Sequence, residues 1–194
     1  MTIFSTALIG LFALSAASAL PTNQLVFVED SIHMKRTQTH TVTMTGYNAV
    51  PEQTDGDPHT AASGAYSNPE VIAARSADLA EELPFGTVVE IVLSDGGAVC
   101  GLQPVAADIG LRVIADSMHS RKRTQVDILF DTDRVVRSNG AYINRAVALG
   151  VCKDIEIRVV GHVDIKKIPK TQKELRLAVG YLPKAGEQIL AISK

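Results

Sequence analysis

Residues 112–131 read RVIADSMHSRKRTQVDILFD, and the fold turns on how this stretch is laid out. Leu111–Ala115 and Val126–Phe130 are short apolar runs rich in β-branched residues, and the basic run Arg121-Lys122-Arg123 lies between them. Apolar runs this short, bounded by polar turns, read as strands rather than helices. Asp116 closes the first strand, and Asp127 sits near the start of the second, eleven residues on. In the second strand Ile128 and Phe130 share one face, with Asp127, Leu129 and Asp131 opposite. Asp127 is therefore an ionisable residue in an otherwise apolar strand. If the intervening loop joins neighbouring strands, both carboxylates converge at one mouth of a barrel.

Working outward, THTVTMTGYNAV (39–50) alternates, with Val42, Met44 and Gly46 on one face and Thr41, Thr43 and Thr45 on the other. That period of two predicts a strand. PEQTDGDPHTAASGAYSNP (51–69) is turn material, and a connector this long is often functional. Val71–Ala74 reads as a short strand, Ala77–Glu82 as a helical turn, and Leu83–Thr87 as a tight turn into a strong strand, Val88–Leu93. Asp95-Gly96-Gly97 turns the chain, and Val99–Ala107 suits either state. Asp131–Leu149 is the best helix candidate, broken at Asn139-Gly140 into a turn and a second helix. That second helix, Ala141–Leu149, puts Ile143, Ala146, Val147 and Gly150 on one face, with Gly150 as its C-terminal cap. Ile155–Ile165 alternates as a strand, and the chain from Lys166 is expected to pack on the domain. The inventory is that of a mainly β chain, a small barrel with one or two short helices, without βαβ repeats.

The first twenty residues, MTIFSTALIGLFALSAASAL, carry no charged side chain and end in small residues. Ala17 and Ala19 fit an A-x-A cleavage signal, so residues 1–19 are expected to be a signal peptide. The apolar stretch is short for a spanning helix, which needs roughly 20 residues. No integral membrane segment is expected after cleavage, and the protein is expected to be periplasmic or extracellular. Residues 20–40 read as a lead-in, 41–165 as the barrel domain, and 166–194 as a C-terminal extension.

Charge is near balance, with 19 basic and 21 acidic residues, which argues against a nucleic-acid surface. The two cysteines, Cys100 and Cys152, are compatible with one disulfide in an exported chain; two free buried cysteines are the other reading. Five histidines show no tight metal-ligand spacing, so no metal site is expected.

A crowded or buried carboxyl has a raised pKa, because desolvation and a neighbouring negative charge both disfavour ionisation. Such a group can hand a proton to a glycosidic oxygen, and paired carboxylates are the usual glycosidase solution. Other candidates belong to the same region. Tyr47 can stack on a sugar or fill a half-buried strand position. Asp57 can help bind a cation or simply make a turn, and Thr60 and Ser63 can donate to substrate or to their own loop. His119 can supply polar contacts or stand in solvent.

Taken together, TGYNAVPEQTDGDPHTAASG, LPFGTVVEI, the IAD strand end, VDILF and the AVALG turn resemble, in order, the 3D domain, named for its three aspartates. It is similar to the catalytic barrel of MltA-type membrane-bound lytic transglycosylases. The match runs from about Thr41 to Val160. The resemblance implies a double-psi β-barrel of the RlpA-like type. It implies that Asp127 is the single general acid, then base, cleaving the bond between N-acetylmuramic acid and N-acetylglucosamine. Asp116 would support it, and Tyr47, Asp57, Thr60, Ser63, Gly64, Arg75 and His119 would border the substrate. The partners would be peptidoglycan strands or an envelope protein, and no cofactor is needed.

Two departures bear on this. Arg75 stands where the family has an aspartate, and a cation beside Asp127 would lower its pKa. Ser117–Arg123 replaces a glycine-rich loop, removing residues that permit close backbone approach to a sugar. The chain also lacks room for the second domain that lines the glycan groove of those enzymes. Two functions follow: a lytic transglycosylase acting through Asp127, or a non-catalytic envelope protein that binds through the same barrel.

Overall fold

The computed structural model describes residues 38–54, 56–92, 100–138 and 140–182. The expected signal peptide, most of the lead-in, the turn at Asp95–Gly97 and residues 183–194 lie outside the described residues. The elements in chain order are β1 (Thr39–Asn48), β2 (Ile72–Arg75), β3 (Thr87–Val92), α1 (Leu102–Ile109), β4 (Leu111–Ser117) and β5 (Gln125–Phe130). There follow β6 (Val135–Ser138), β7 (Ala141–Asn144), α2 (Arg145–Leu149), β8 (Cys152–His162) and α3 (Gln172–Ala178).

Six strands close a barrel in the order β1-β5-β2-β4-β3-β8. The β1–β5 and β2–β4 pairs are parallel; β5–β2, β4–β3, β3–β8 and β8–β1 are antiparallel. Alternation along each strand sorts residues into inside and outside. Val42 and Met44, Ala73, Val89, Ile114, Val126 and Ile128, and Ile155 and Ile157 form the interior cluster. Each fully buried Ile or Leu there contributes about 1.5–3 kcal/mol. α1 and α2 extend this core through Val105, Ile109, Ala146 and Leu149. Gly46 faces the same interior: a Cβ there would lie 2.8 Å from the Phe130 ring and 3.0 Å from the Ala146 Cα, so glycine lets α2 sit against β1.

The outer face of β2, β4 and β5 carries a second cluster, including Ile72, Val113 and Leu129. The C-terminal segment covers it with Leu175, fully buried, and with Ile165, Ile168 and Val179. Thr171 and Glu174 form a reciprocal capping box at the start of α3. Gln172 then bonds both backbone groups of Leu111, at 2.9 and 2.8 Å, tying α3 to β4.

Cys100 and Cys152 form a disulfide that joins the approach to α1 to the first residue of β8. Gly86, at φ +96, makes the turn into β3, where its N–H donates to the Ile114 carbonyl.

The expected helix from Asp131 is corrected. Val135–Ser138 and Ala141–Asn144 are a β-hairpin with Gly140 in its turn, Asn139 lying outside the described residues, and helix begins only at Arg145. Val136 and Ile143 pair across the hairpin and face the core, while Val135 and Tyr142 stay exposed, an alternation that suits strands. Val147 was expected on the buried face of the helix and is 68% exposed. Gly150 does cap α2, at φ 62, donating to Ala146.

Candidate functional site

Registers across four strands bring the two aspartates together. Thr45 of β1 pairs Asp127 of β5, Asp127 pairs Ala74 of β2, and Ala74 pairs Asp116 of β4. All four lie on the outer face of the barrel, opposite Val126 and Ile128. The expected direct return between neighbouring strands is corrected: β2 runs between β4 and β5. Strand spacing therefore separates the two aspartate backbones by roughly 10 Å. The carboxyls share no hydrogen bond and interact through charge alone.

A register shift in β4 makes this row. Ile72 pairs Val113 and Ala73 pairs Ile114, but Ala74 pairs Asp116, which leaves Ala115 as the extra residue. Without that shift Asp116 would pair Arg75 and point into the apolar interior. The bulge turns it outward, as bulges beside functional sites commonly re-aim a side chain.

Asp116 is an anchored acceptor. Its Oδ1 accepts from the backbone N–H groups of Ala62 and Ser117, both at 2.9 Å, and its Oδ2 accepts from the Tyr47 hydroxyl at 2.8 Å. Burial, then the negative charge of Asp116, pushes the Tyr47 phenol well above its ordinary pKa, so Tyr47 stays a donor. Tyr47 is only 8% exposed, so of its two readings the structure favours the buried strand position.

Asp127 is held differently. Its Oδ1 accepts from the Thr45 hydroxyl at 2.8 Å, and Thr45 in turn accepts from Gln125 Nε2 at 2.8 Å. Among the described residues, no group donates to Oδ2. Burial pushes the Asp127 carboxyl up to about 6, against the opposing pull of the Thr45 hydrogen bond and the Lys122 charge. Asp116 adds a smaller upward push. The result is a carboxyl that exchanges a proton near neutral pH, beside a fixed negative charge.

Arg75 is corrected on one count: it does not sit beside Asp127. Its strand neighbour Ala74 faces Asp127, so Arg75 points the other way. Its Nε donates to the Leu83 carbonyl at 2.9 Å, its guanidinium lies 4.9 Å from the centre of the Phe85 ring, and it is 8% exposed. Asp127 therefore escapes the charge that the sequence led us to expect.

The loop of residues 57–66 meets the site through its backbone rather than the expected side chains. Asp57 accepts from the His59 N–H; its carboxyl is held below the ordinary range, first by a hydrogen bond from Thr60. Both residues thus serve the loop. The Ser63 N–H donates to the Ala115 carbonyl and Gly64 turns at φ +82, which places the Ala62 N–H on Asp116. His119 accepts from the Arg121 N–H in the exposed loop after β4.

Two participants went unread in the sequence, Thr45 and Gln125. Thr45 stood in an alternating strand as one of three similar threonines. Only the β1–β5 register singles it out. Among the described residues, no group of three or more His, Cys, Asp or Glu is placed to hold a metal ion, and no helix is long and apolar enough to cross a membrane. Neither the family models nor the curated proteins include a match to this chain.

Proposed function

We propose that the protein is an exported enzyme of the lytic transglycosylase type, cleaving the bond between N-acetylmuramic acid and N-acetylglucosamine in peptidoglycan. The observation that carries this reading is Asp127, a part-buried carboxyl raised to about 6, with one oxygen unclaimed and Arg75 turned away. Support also comes from the closed six-strand barrel with its two parallel pairs, which agrees with the double-psi arrangement that the 3D-domain resemblance implies.

In this mechanism protonated Asp127 gives its proton to the glycosidic oxygen as the C1–O bond breaks. Asp116 stabilises positive charge developing at C1. The Asp127 carboxylate then takes the proton from the muramic acid C6 hydroxyl as that oxygen bonds to C1, giving the 1,6-anhydro product and restoring the acid. No cofactor enters, and water is not a reactant. In this reading the glycan reaches Asp127 where that residue stays part-exposed, beside the buried Ala74.

The test is digestion of purified peptidoglycan, with products read by mass and Asp127→Asn as control. Anhydromuropeptides that vanish with the substitution are expected. Their rate should fall about tenfold per pH unit above about 6, as the acid is lost. Hydrated products would mean hydrolysis. No release from folded protein at acidic or neutral pH would leave the barrel as a non-catalytic binder of peptidoglycan or of an envelope protein.

A further inference from the structure

We infer that Gln125 is a positioning residue, acting through Thr45 to assign the exchangeable proton of Asp127 to Oδ2. The inference rests on the acid–base reading of Asp127 and says which oxygen does the work.

Donor and acceptor roles fix the direction of the hydrogen-bond chain. An ionised carboxylate only accepts. Thr45 Oγ1 lies 2.8 Å from Asp127 Oδ1, so its one proton is committed to that oxygen. The Thr45 oxygen then has only lone pairs left, and Gln125, 2.8 Å away, must meet it with its amide N–H. The chain Gln125 Nε2–H to Thr45 Oγ1–H to Asp127 Oδ1 therefore has one direction. With the Gln125 amide in place, the hydroxyl cannot turn round to accept from Oδ1 without setting two donors against each other. A proton on Asp127 consequently resides on Oδ2, which faces no described donor.

Gln125 is itself held in place. It is 8% exposed, its N–H donates to Ser76 Oγ at 3.0 Å, and its carbonyl accepts from the Ser76 N–H at 2.9 Å. The groups facing Asp127 that also titrate or carry charge are Tyr47 from β1, Asp116 from β4 and Lys122 from the loop before β5. None of them touches the Gln125–Thr45 link. In the proposed reaction the arrangement leaves Oδ2 alone to give a proton to the leaving oxygen and to take one from the C6 hydroxyl. Oδ1 stays hydrogen-bonded throughout.

The test follows the Asp127 carboxyl by carbon NMR in labelled protein without substrate, so a protein inert toward peptidoglycan still reports. Gln125 shares no hydrogen bond with Asp127, yet Gln125→Met should raise the Asp127 titration midpoint by about half a unit to one unit, because the hydroxyl loses its aim at the ionised form. Thr45→Val should raise it at least as far, and Thr45→Ser should restore it. In the Thr45→Val background, Gln125→Met should add nothing. An unchanged midpoint in Gln125→Met, or an equal shift that persists without the Thr45 hydroxyl, would overturn the relay. Gln125→Glu, which draws the hydroxyl proton away from Asp127, should shift the midpoint upward more than Gln125→Met; a smaller shift also overturns it. A positive titration with no peptidoglycan cleavage would sink the enzyme reading and leave the relay standing.

Discussion

At the scale of the residue, Asp127 is kept in a state that opposes folding at neutral pH. Its folded pKa is raised to about 6 from an ordinary 3.8. The folded protein binds the extra proton between those values, so the favourable contribution is complete below about 4. It is lost as pH rises through about 6. Asp127→Asn should therefore be more stable than the native protein at neutral pH, by about 1–3 kcal/mol, with the advantage vanishing below about pH 4. Denaturant melts across that range measure it, and equal stability at both ends would mean that burial does not strain this carboxyl. Asp127 and Asp116 were legible in the sequence, because a carboxylate within or closing an apolar run is conspicuous. Arg75 was legible as an anomaly but not in its consequence. Its partners, Leu83 and Phe85, are set by the turn that follows β2.

At the scale of the element, the irregularity in β4 decides whether there is a site. Deleting Ala115 would restore regular pairing with β2 and seat Asp116 directly after Ile114, opposite Ala74 and still on the outer face. Regular pairing with Ala115 retained would instead turn Asp116 inward, where an uncompensated carboxylate would cost several kcal/mol. The deletion is therefore expected to keep cooperative melting and the bond from the Tyr47 hydroxyl to Asp116. Loss of cooperative melting would show that the extra residue does more than set the facing of Asp116. Strands such as β3 and β5 were readable because apolar content and length pointed the same way. The β6–β7 hairpin was not. Asp131 and Asp133 suit a helix start, and the short run Val135-Val136 fits either period. Asn-Gly at the turn was the signal for a hairpin, and it was read instead as a break in a helix. The Thr171–Glu174 capping box also stood in plain sight in TQKE.

At the scale of the whole molecule, two ties hold the barrel ends. The disulfide spans 52 residues of sequence, and chain entropy alone gives such a cross-link about 4 kcal/mol. The double substitution Cys100→Ala, Cys152→Ala should lower unfolding free energy by about that amount in denaturant melts; a loss well under 1 kcal/mol would mean that α1 and β8 hold together without it. Arg112 is the second tie. It is fully buried, burial lowers its pKa to about 10, and it donates to the carbonyls of Ile109 and Pro69 at 2.5 and 2.7 Å and also to that of Asp108. One side chain thus joins the end of α1 to the loop before β2. Arg112→Met should destabilise by about 3 kcal/mol or more, because several buried carbonyls lose their donor at once. A thermal melt unchanged from the native protein would refute that role.

Residue order along the chain was enough to place β1 to β5 and β8 as strands and to say which residues in most of them face the core. Those properties are local, since side-chain alternation along a strand is set by the backbone and needs no partner. Strand order, the bulge that turns Asp116 outward, the burial of Arg75 and the pairing of Thr45 with Asp127 were set by packing across the whole barrel. Thr45 and Asp127 are 82 residues apart, and backbone hydrogen bonds between strands are nearly blind to sequence. Which strands pair, and in what register, is settled by how all the apolar faces close around one core. Each candidate residue could therefore be named from its neighbours in the chain, but the chemistry of Asp127 had to wait for its neighbours in space.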